Sequence, residues 1–201
     1  MKKNIAVFGG AFSPPTVAHI SNATKILDID GIDEIWVMPA FNHRLKAESA
    51  SYADRLTMCH LAFSDINEKI KVTEDDYNAY TNGYDGSTKS IMEYLMKAYP
   101  DHTFNMVVGQ DNADTINTWK DPEWLLEHIH FIVIPRGGCY SEQLTWYDNK
   151  PHMFLKESSC ITMSSSDVRN AIKENNFDLV RLLVNKDVFE YIKRKNLYIN
   201  L

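Results

Sequence analysis

Short apolar runs rich in β-branched and aromatic residues alternate along this chain with amphipathic helical patterns, and that alternation most restricts what it can fold into. Residues 4–8 (Asn-Ile-Ala-Val-Phe) read as a strand, 16–27 as a helix and 34–38 (Glu-Ile-Trp-Val-Met) as a second strand, which is a strand–helix–strand unit. A helix follows over 52–63, where Leu56, Cys59, His60 and Phe63 share a face, then a short strand over 70–73. Residues 75–86 read as a polar loop with turns at Asn82-Gly83 and Asp85-Gly86, and Ser87 opens a helix over 87–99 that Pro100 stops. Strands over 104–108 and 130–134 enclose a helical segment around 122–127. Near-continuous apolar strands separated by helices predict an α/β protein with a doubly wound parallel sheet covered on both faces. From 164 to 201 the pattern changes to short helices, about 166–174, 177–184 and 187–195, read as a helical C-terminal cap on a single domain spanning 1–201, with no internal repeat.

A length of 201 residues suits about one domain. The 21 basic and 27 acidic side chains leave a net charge of −6, so neither nucleic acid nor an anionic membrane surface is an expected partner. No run approaches the roughly 18 apolar residues of a membrane span. Met1-Lys2-Lys3 imitates the start of an export signal, but Gly9-Gly10 cuts the apolar run after Phe8, and no signal is read. Cys59, Cys139 and Cys160 form neither a zinc spacing nor an even disulfide set, which leads to the expectation of a reduced, cytoplasmic protein. His128 and His130, two apart, would point the same way on a strand as a possible metal pair, and Glu74-Asp75-Asp76 reads most simply as a solvated loop whose carboxylates could also meet a divalent ion. Homo-oligomerisation is left open.

The chemistry is concentrated after the first strand, in Gly9-Gly10-Ala11-Phe12-Ser13-Pro14-Pro15-Thr16-Val17-Ala18-His19. Glycines directly after strand one of a doubly wound sheet let backbone N–H groups approach a phosphate, and the following helix start adds a positive end. The segment is neither G-x-G-x-x-G nor a P-loop. Thr16 and His19, three apart, share one face of the first helical turn, so both are expected to face whatever the glycines cradle. Taken alone, a glycine pair and a helical histidine suit a structural turn as well as a site.

Other segments carry a resemblance. Residues 9–19 resemble the [T/H]-x-x-H signature of the nucleotidyltransferase superfamily, and Met163-Ser164-Ser165-Ser166-Asp167-Val168-Arg169 resembles its I-S-S-T-x-x-R motif, with Ser166 in place of threonine. Gly109-Gln110-Asp111 resembles the G-x-D segment of the nicotinate/nicotinamide-mononucleotide adenylyltransferases. Trp119, eight residues on, is similar to their base-stacking tryptophan, and Val133-Ile134-Pro135-Arg136-Gly137 resembles their V-x-x-R-P-G. Pro39 and Lys46 keep the ends of a P-P-H-K loop whose core is replaced by Asn42-His43-Arg44-Leu45, and Arg55 and Met58 fit the R-x-x-M that follows. Thr88-Lys89-Ser90 stands where the family has S-Y-T, without the tyrosine, and residues 191–198 resemble its closing helix.

This resemblance covers nearly the whole chain and implies a Rossmann-like fold. It implies transfer of AMP from ATP to nicotinate or nicotinamide mononucleotide with release of pyrophosphate, in NAD biosynthesis and with Mg²⁺. His19 is implied as a donor to developing phosphate charge, Thr16 as a hydrogen-bonding group or the holder of a water-bridged Mg²⁺, Lys46 as a phosphate contact and Arg169 as a cation one turn into its helix. Gly9, Gly10, Ala11, Phe12, Gly109, Asp111, Ser164, Ser165, Ser166 and Arg169 are implied for ATP, and Thr88, Trp119, Arg136 and Arg55 for the mononucleotide. Side chains supply no expected metal ligand, and contact by Lys89 is left open. Another adenylyl or cytidylyl transfer, or a dinucleotide-binding module without turnover, stays as an alternative; Trp119 at its spacing from Asp111 argues against the first and His19 with Arg169 against the second.

Overall fold

The computed structural model describes residues 1–41, 50–135, 145–156 and 163–199. Six strands, β1 (Asn4–Gly10), β2 (Glu34–Pro39), β3 (Ile70–Val72), β4 (Thr103–Gly109), β5 (His130–Ile134) and β6 (Met153–Phe154), form one sheet in the order β3-β2-β1-β4-β5-β6. Every neighbouring pair is parallel. Nine helices accompany it among the described residues: α1 (Val17–Leu27), α2 (Tyr52–Phe63), α3 (Asp75–Thr81), α4 (Thr88–Ala98), α5 (Gln110–Ala113), α6 (Pro122–His128), α7 (Ser165–Lys173), α8 (Phe177–Leu183) and α9 (Lys186–Lys195). The predicted doubly wound, Rossmann-like arrangement is what forms.

Alternating strand residues feed two separate cores. Ala6, Phe8, Ile35, Val37, Ile132 and Ile134 face one side, where α1, α2 and α7 to α9 bring Ile26, Met58, Phe63, Val168 and Phe189. Ile5, Val7, Trp36, Met38, Phe131 and Val133 face the other, against Ala79, Ile91, Met92, Leu95 and Leu125 of α3, α4 and α6. Each fully buried side chain of this size contributes about 1.5–3 kcal/mol, so strands apolar on both faces are stable only between two helical layers. The expected cap is part of this layering, because α7 to α9 pack on the same face as α1 and α2.

Three local expectations change. β1 runs on through Gly9 and Gly10, which pair with Met38 and Pro39 of β2, so the glycines end the strand rather than form the turn. The expected polar loop over 75–86 begins with α3. Its acidic residues are not solvated: Asp75 accepts the Tyr99 hydroxyl at 3.0 Å and Asp76 accepts the Phe41 N–H at 2.8 Å, and both are buried. The two-residue β6 lay below any periodicity signal.

The sheet order reverses direction between β1 and β4. In an open parallel sheet the crevice for a ligand lies beyond the carboxyl ends of the strands at such a point. Phe8 pairs with Val107, so Gly10 and Gly109 end their strands side by side at that crevice.

Candidate active site

The segment from Ala11 to Thr16 joins β1 to α1 across this crevice. A Cβ on Gly9 would lie 3.3 Å from Met106 Cε, and one on Gly10 3.2 Å from Phe12 Cε2, so both glycines make room for neighbouring side chains. The left-handed residue is Phe12, with φ 46°, a conformation that costs a bulky residue about 1–3 kcal/mol unless its surroundings hold it. Its ring holds it: Phe12 is buried and lies edge-on to Phe8 at 5.5 Å and to Phe63 at 6.2 Å. The expected ATP contact of Phe12 is therefore limited to its backbone, because its side chain is core.

Thr16 caps α1 and is fully buried. Its N–H donates to Nδ1 of His19 at 3.0 Å, and its Oγ1 lies 2.8 Å from the same nitrogen. A nitrogen that accepts an N–H carries no proton of its own, so in the neutral ring the proton sits on Nε2. Phe8 and Phe12 flank the imidazole with ring centroids 6.1 and 5.1 Å away. Of the two expected ligand-facing groups, only His19 keeps a partly exposed side chain. Thr16 orients it, because a cap and the third helical residue face each other.

Two arginines tie this loop to the rest of the fold. Arg55, 1% exposed, donates from Nη1 to the Ala11 carbonyl at 2.8 Å, from Nη2 to that of Ala40 at 2.7 Å and from Nε to that of Ala50 at 3.2 Å. The expected mononucleotide contact of Arg55 is thus corrected: its guanidinium sits inside the protein on backbone oxygens. Arg169 donates from Nη1 to the Ser13 carbonyl at 2.9 Å and from Nη2 to Ser166 Oγ at 3.0 Å. It joins α7 to the loop, with its charge lying beside the loop.

The serines of α7 are corrected in the same sense. Ser165 Oγ donates to the Pro14 carbonyl at 2.8 Å. Ser164 is the N-cap: Oγ bonds Asp167 Oδ2 at 2.8 Å and accepts the Asp167 N–H at 3.3 Å. The Ser164 N–H also donates to Asp167 Oδ2, at 2.7 Å, and with the hydroxyl holds that carboxyl below its ordinary pKa. The Ser164 and Ser165 hydroxyls donate within the protein and Ser166 Oγ accepts from Arg169, while the first-turn N–H groups of Ser165 and Ser166, which no intrahelical carbonyl reaches, can meet an anion. Through Ser165 and Arg169 that helix start is laid against the loop leading into α1.

Across the crevice, Gly109 ends β4 and exposed Asp111 lies in the first turn of α5. Trp119 follows a 3-10 turn (Ile116–Thr118) and is half-buried, edge-on to Phe131 at 6.5 Å. Thr88 is the first residue of α4 after the Ser87 cap, which accepts the Ser90 N–H at 3.3 Å. Lys89 reaches Asp121 at 2.8 Å and Lys120 reaches Asp85 at 2.5 Å, joining the Trp119 segment to the start of α4. Lys89 is therefore in an ion pair, and it also lies 5.2 Å from the Trp124 ring. Lys46 and Arg136, together with Asn42, His43, Arg44, Leu45, Gly137, Cys139 and Cys160, lie outside the described residues.

Among the described residues no cluster of three or more His, Cys, Asp or Glu side chains is placed to hold a metal. His128 closes α6, stacked on Trp124 at 4.7 Å, while His130 opens β5. No helix is long and apolar enough to cross a membrane among the described residues. Sequence reasoning missed Ser13 and Tyr198, whose hydroxyls meet at 3.1 Å beneath the loop. A serine before a proline and a tyrosine in a terminal helix motif carry no local sign of that contact.

The family model described as cytidylyltransferase-like matches residues 7–171. The chain belongs to the cytidylyltransferase-like family. The match takes in the end of β1, Thr16, His19 and Arg169 and stops within α7. Full-length relatives extend it: the "Probable nicotinate-nucleotide adenylyltransferase" of Borreliella afzelii is 31% identical, covering 97% of this chain and 96% of that protein. The protein of the same name from Flavobacterium johnsoniae is 29% identical over 96% of this chain and 98% of its own. Among solved structures, the Plasmodium falciparum nicotinic acid mononucleotide adenylyltransferase complexed with NaAD superposes with a TM-score of 0.83 at 26% identity, over 98% of this chain and 97% of that one. This cytidylyltransferase-like chain thus falls with the nicotinate-nucleotide adenylyltransferases, the group that its motifs resemble.

Proposed function

We propose that this protein transfers the AMP moiety of ATP to nicotinate mononucleotide, forming the dinucleotide and releasing pyrophosphate. The observation that carries this reading is the convergence, at the sheet's reversal point, of an oriented His19 at the start of α1 with the start of α7. The names of the full-length relatives and the NaAD complex of the Plasmodium enzyme support nicotinate as the pyridine. In the reaction an oxygen of the mononucleotide phosphate attacks the α-phosphorus of ATP. The new P–O bond forms as the α–β bridge breaks, and the electron pair leaves with pyrophosphate.

The attacking oxygen is already an anion, so the chain's task is to position and to stabilise charge. In-line placement of two bound reactants removes about 7–11 kcal/mol of barrier, and each donor aimed at developing phosphate charge adds roughly 3–4 kcal/mol. His19 Nε2–H is the first such donor, fixed by the Thr16 N–H on its other nitrogen. The N–H groups that open α1 and α7 supply a positive end for the leaving phosphates. Asp111 in the first turn of α5 suits ribose hydroxyls, and Trp119 beside the start of α4 suits a stacked pyridine ring. Mg²⁺ carried on the ATP phosphates would supply charge neutralisation there. In this reading Lys46 keeps its implied phosphate contact and Arg136 its implied place at the mononucleotide, and a reduced, cytoplasmic location stays the expectation drawn from the cysteines.

A pyrophosphate-release assay tests the proposal, with ATP against nicotinate and nicotinamide mononucleotides and with or without Mg²⁺. Turnover that favours nicotinate mononucleotide and needs the ion is the expected result. Silence with both mononucleotides overturns the reading, and preference for the amide overturns the choice of acid.

A further inference from the structure

We propose that Tyr198, near the carboxyl end of the chain, is a positioning residue for adenylyl transfer, holding the loop between β1 and α1 in register through Ser13. The inference rests on the reading that this loop and the start of α1 hold the reacting phosphates.

The chain reverses after α9 through two left-handed residues, Asn196 with φ 50° and Tyr198 with φ 68°. That reversal turns the Tyr198 ring back into the core, where it is 4% exposed. Its hydroxyl lies 3.1 Å from Oγ of Ser13, a residue 185 positions earlier in the chain. Burial raises the phenol well above its ordinary pKa, so it stays a neutral hydroxyl.

Ser13 is itself buried and is a junction. Its Oγ accepts the Ala50 N–H at 3.1 Å, and its carbonyl accepts Arg169 Nη1 at 2.9 Å. Ala50 in turn gives its carbonyl to Arg55 Nε at 3.2 Å. The loop, the approach to α2, the start of α7 and the carboxyl end therefore meet at one serine. Ser13 lies between Phe12, whose backbone is strained, and Thr16, which orients His19. A hydroxyl that fixes Ser13 from below consequently acts on the donor at the centre of the site. Packing alone does not call for this hydroxyl, since a phenylalanine would fill the same space in the core.

Tyr198→Phe isolates the contact. A displacement of the loop by a fraction of an ångström is expected to lower kcat about tenfold, with both KM values within about twofold of the parent and the unfolding midpoint little changed. A role in packing only would leave kcat alone. Ser13→Ala removes this contact together with the acceptor of the Ala50 N–H, so its kcat should fall at least as far, and the double variant should be no slower than Ser13→Ala alone. Tyr198→Phe with parent-like kcat overturns the proposal, as do additive losses in the double variant. Should Tyr198→Phe fail to fold, parent-like kcat in Ser13→Ala overturns it and a tenfold fall there supports it. His19→Ala assayed alongside separates the two layers: if that variant keeps parent turnover, the reading of the phosphate site fails, whatever Tyr198 does.

Discussion

Replacing Arg55 by methionine keeps most of the aliphatic stem but removes every donor of a guanidinium that is 1% exposed. Three backbone carbonyls, of Ala11, Ala40 and Ala50, then lose their bonds at 2.8, 2.7 and 3.2 Å. A hydrogen bond to a charged group contributes about 1.5–3 kcal/mol, and each buried acceptor left without a partner costs about 1–3 kcal/mol. The three share one side chain and do not add fully, so a loss of about 3–5 kcal/mol is expected, a large part of the 5–15 kcal/mol typical of a domain. Urea unfolding measures it as a lower midpoint at unchanged slope. Activity should fall at the same time for both substrates, because Ala11 and Ala40 follow β1 and β2 at the crevice. Arg55→Lys should recover only a minor share, since one ammonium does not span three separated carbonyls. A loss below about 1 kcal/mol with a raised mononucleotide KM alone would refute the reasoning, and would return Arg55 to the ligand role that its motif implied.

The remaining expectations concern the donor and the opposite end of the sheet. His19→Ala should lower kcat by about 10²–10³ with modest change in KM, and a fall under about threefold would remove His19 from the mechanism. Thr16→Val keeps the shape and the N–H but removes the hydroxyl and its cap, so its kcat should fall less than that of His19→Ala; a larger fall would show that the hydroxyl meets substrate itself. At the amino end of β2, burial alone would raise the Glu34 carboxyl, but hydrogen bonds from Lys3, Lys71 and Trp36 Nε1 outweigh it and bring the pKa from 4.5 to about 2. Because the folded value is the lower one, the stabilisation is fully present above about pH 4.5 and is lost as pH falls toward 2. Its size is about 2–3 kcal/mol after allowance for the half-exposed lysines. In Glu34→Gln the acid limb of stability against pH, followed by chemical denaturation, should flatten by that amount; a limb parallel to the parent's would refute the assignment.

The helices and strands were legible where the side-chain period was long enough to be read. β5 and α2 formed at the boundaries that their patterns implied, and Ser87 caps α4 as expected. α3 was not legible, because Asp75 and Asp76 look solvated until Tyr99 and the Phe41 N–H are seen to reach them. The candidate site divides in the same way. Thr16 and His19 could be paired in advance, since helical spacing alone brings residues three apart together. The partners of Arg55, Arg169 and the α7 serines could not, because they come from other segments.

By itself the sequence determined the layered parallel sheet, the helix starts that gather at its carboxyl edge, and the family to which the motifs belong. The sheet and the helix starts follow from local periodicity and from short spacings along one element, and the family from the likeness of the motifs. Only the tertiary structure decided what each polar group in the site does. Arg55 reaches a carbonyl 44 residues away, Ser165 one 151 away and Tyr198 a hydroxyl 185 away. Hydrogen bonds act over about 3 Å of space and are indifferent to separation along the chain. The motifs therefore placed these groups at one edge of the sheet, and folding gave several of them partners inside the protein.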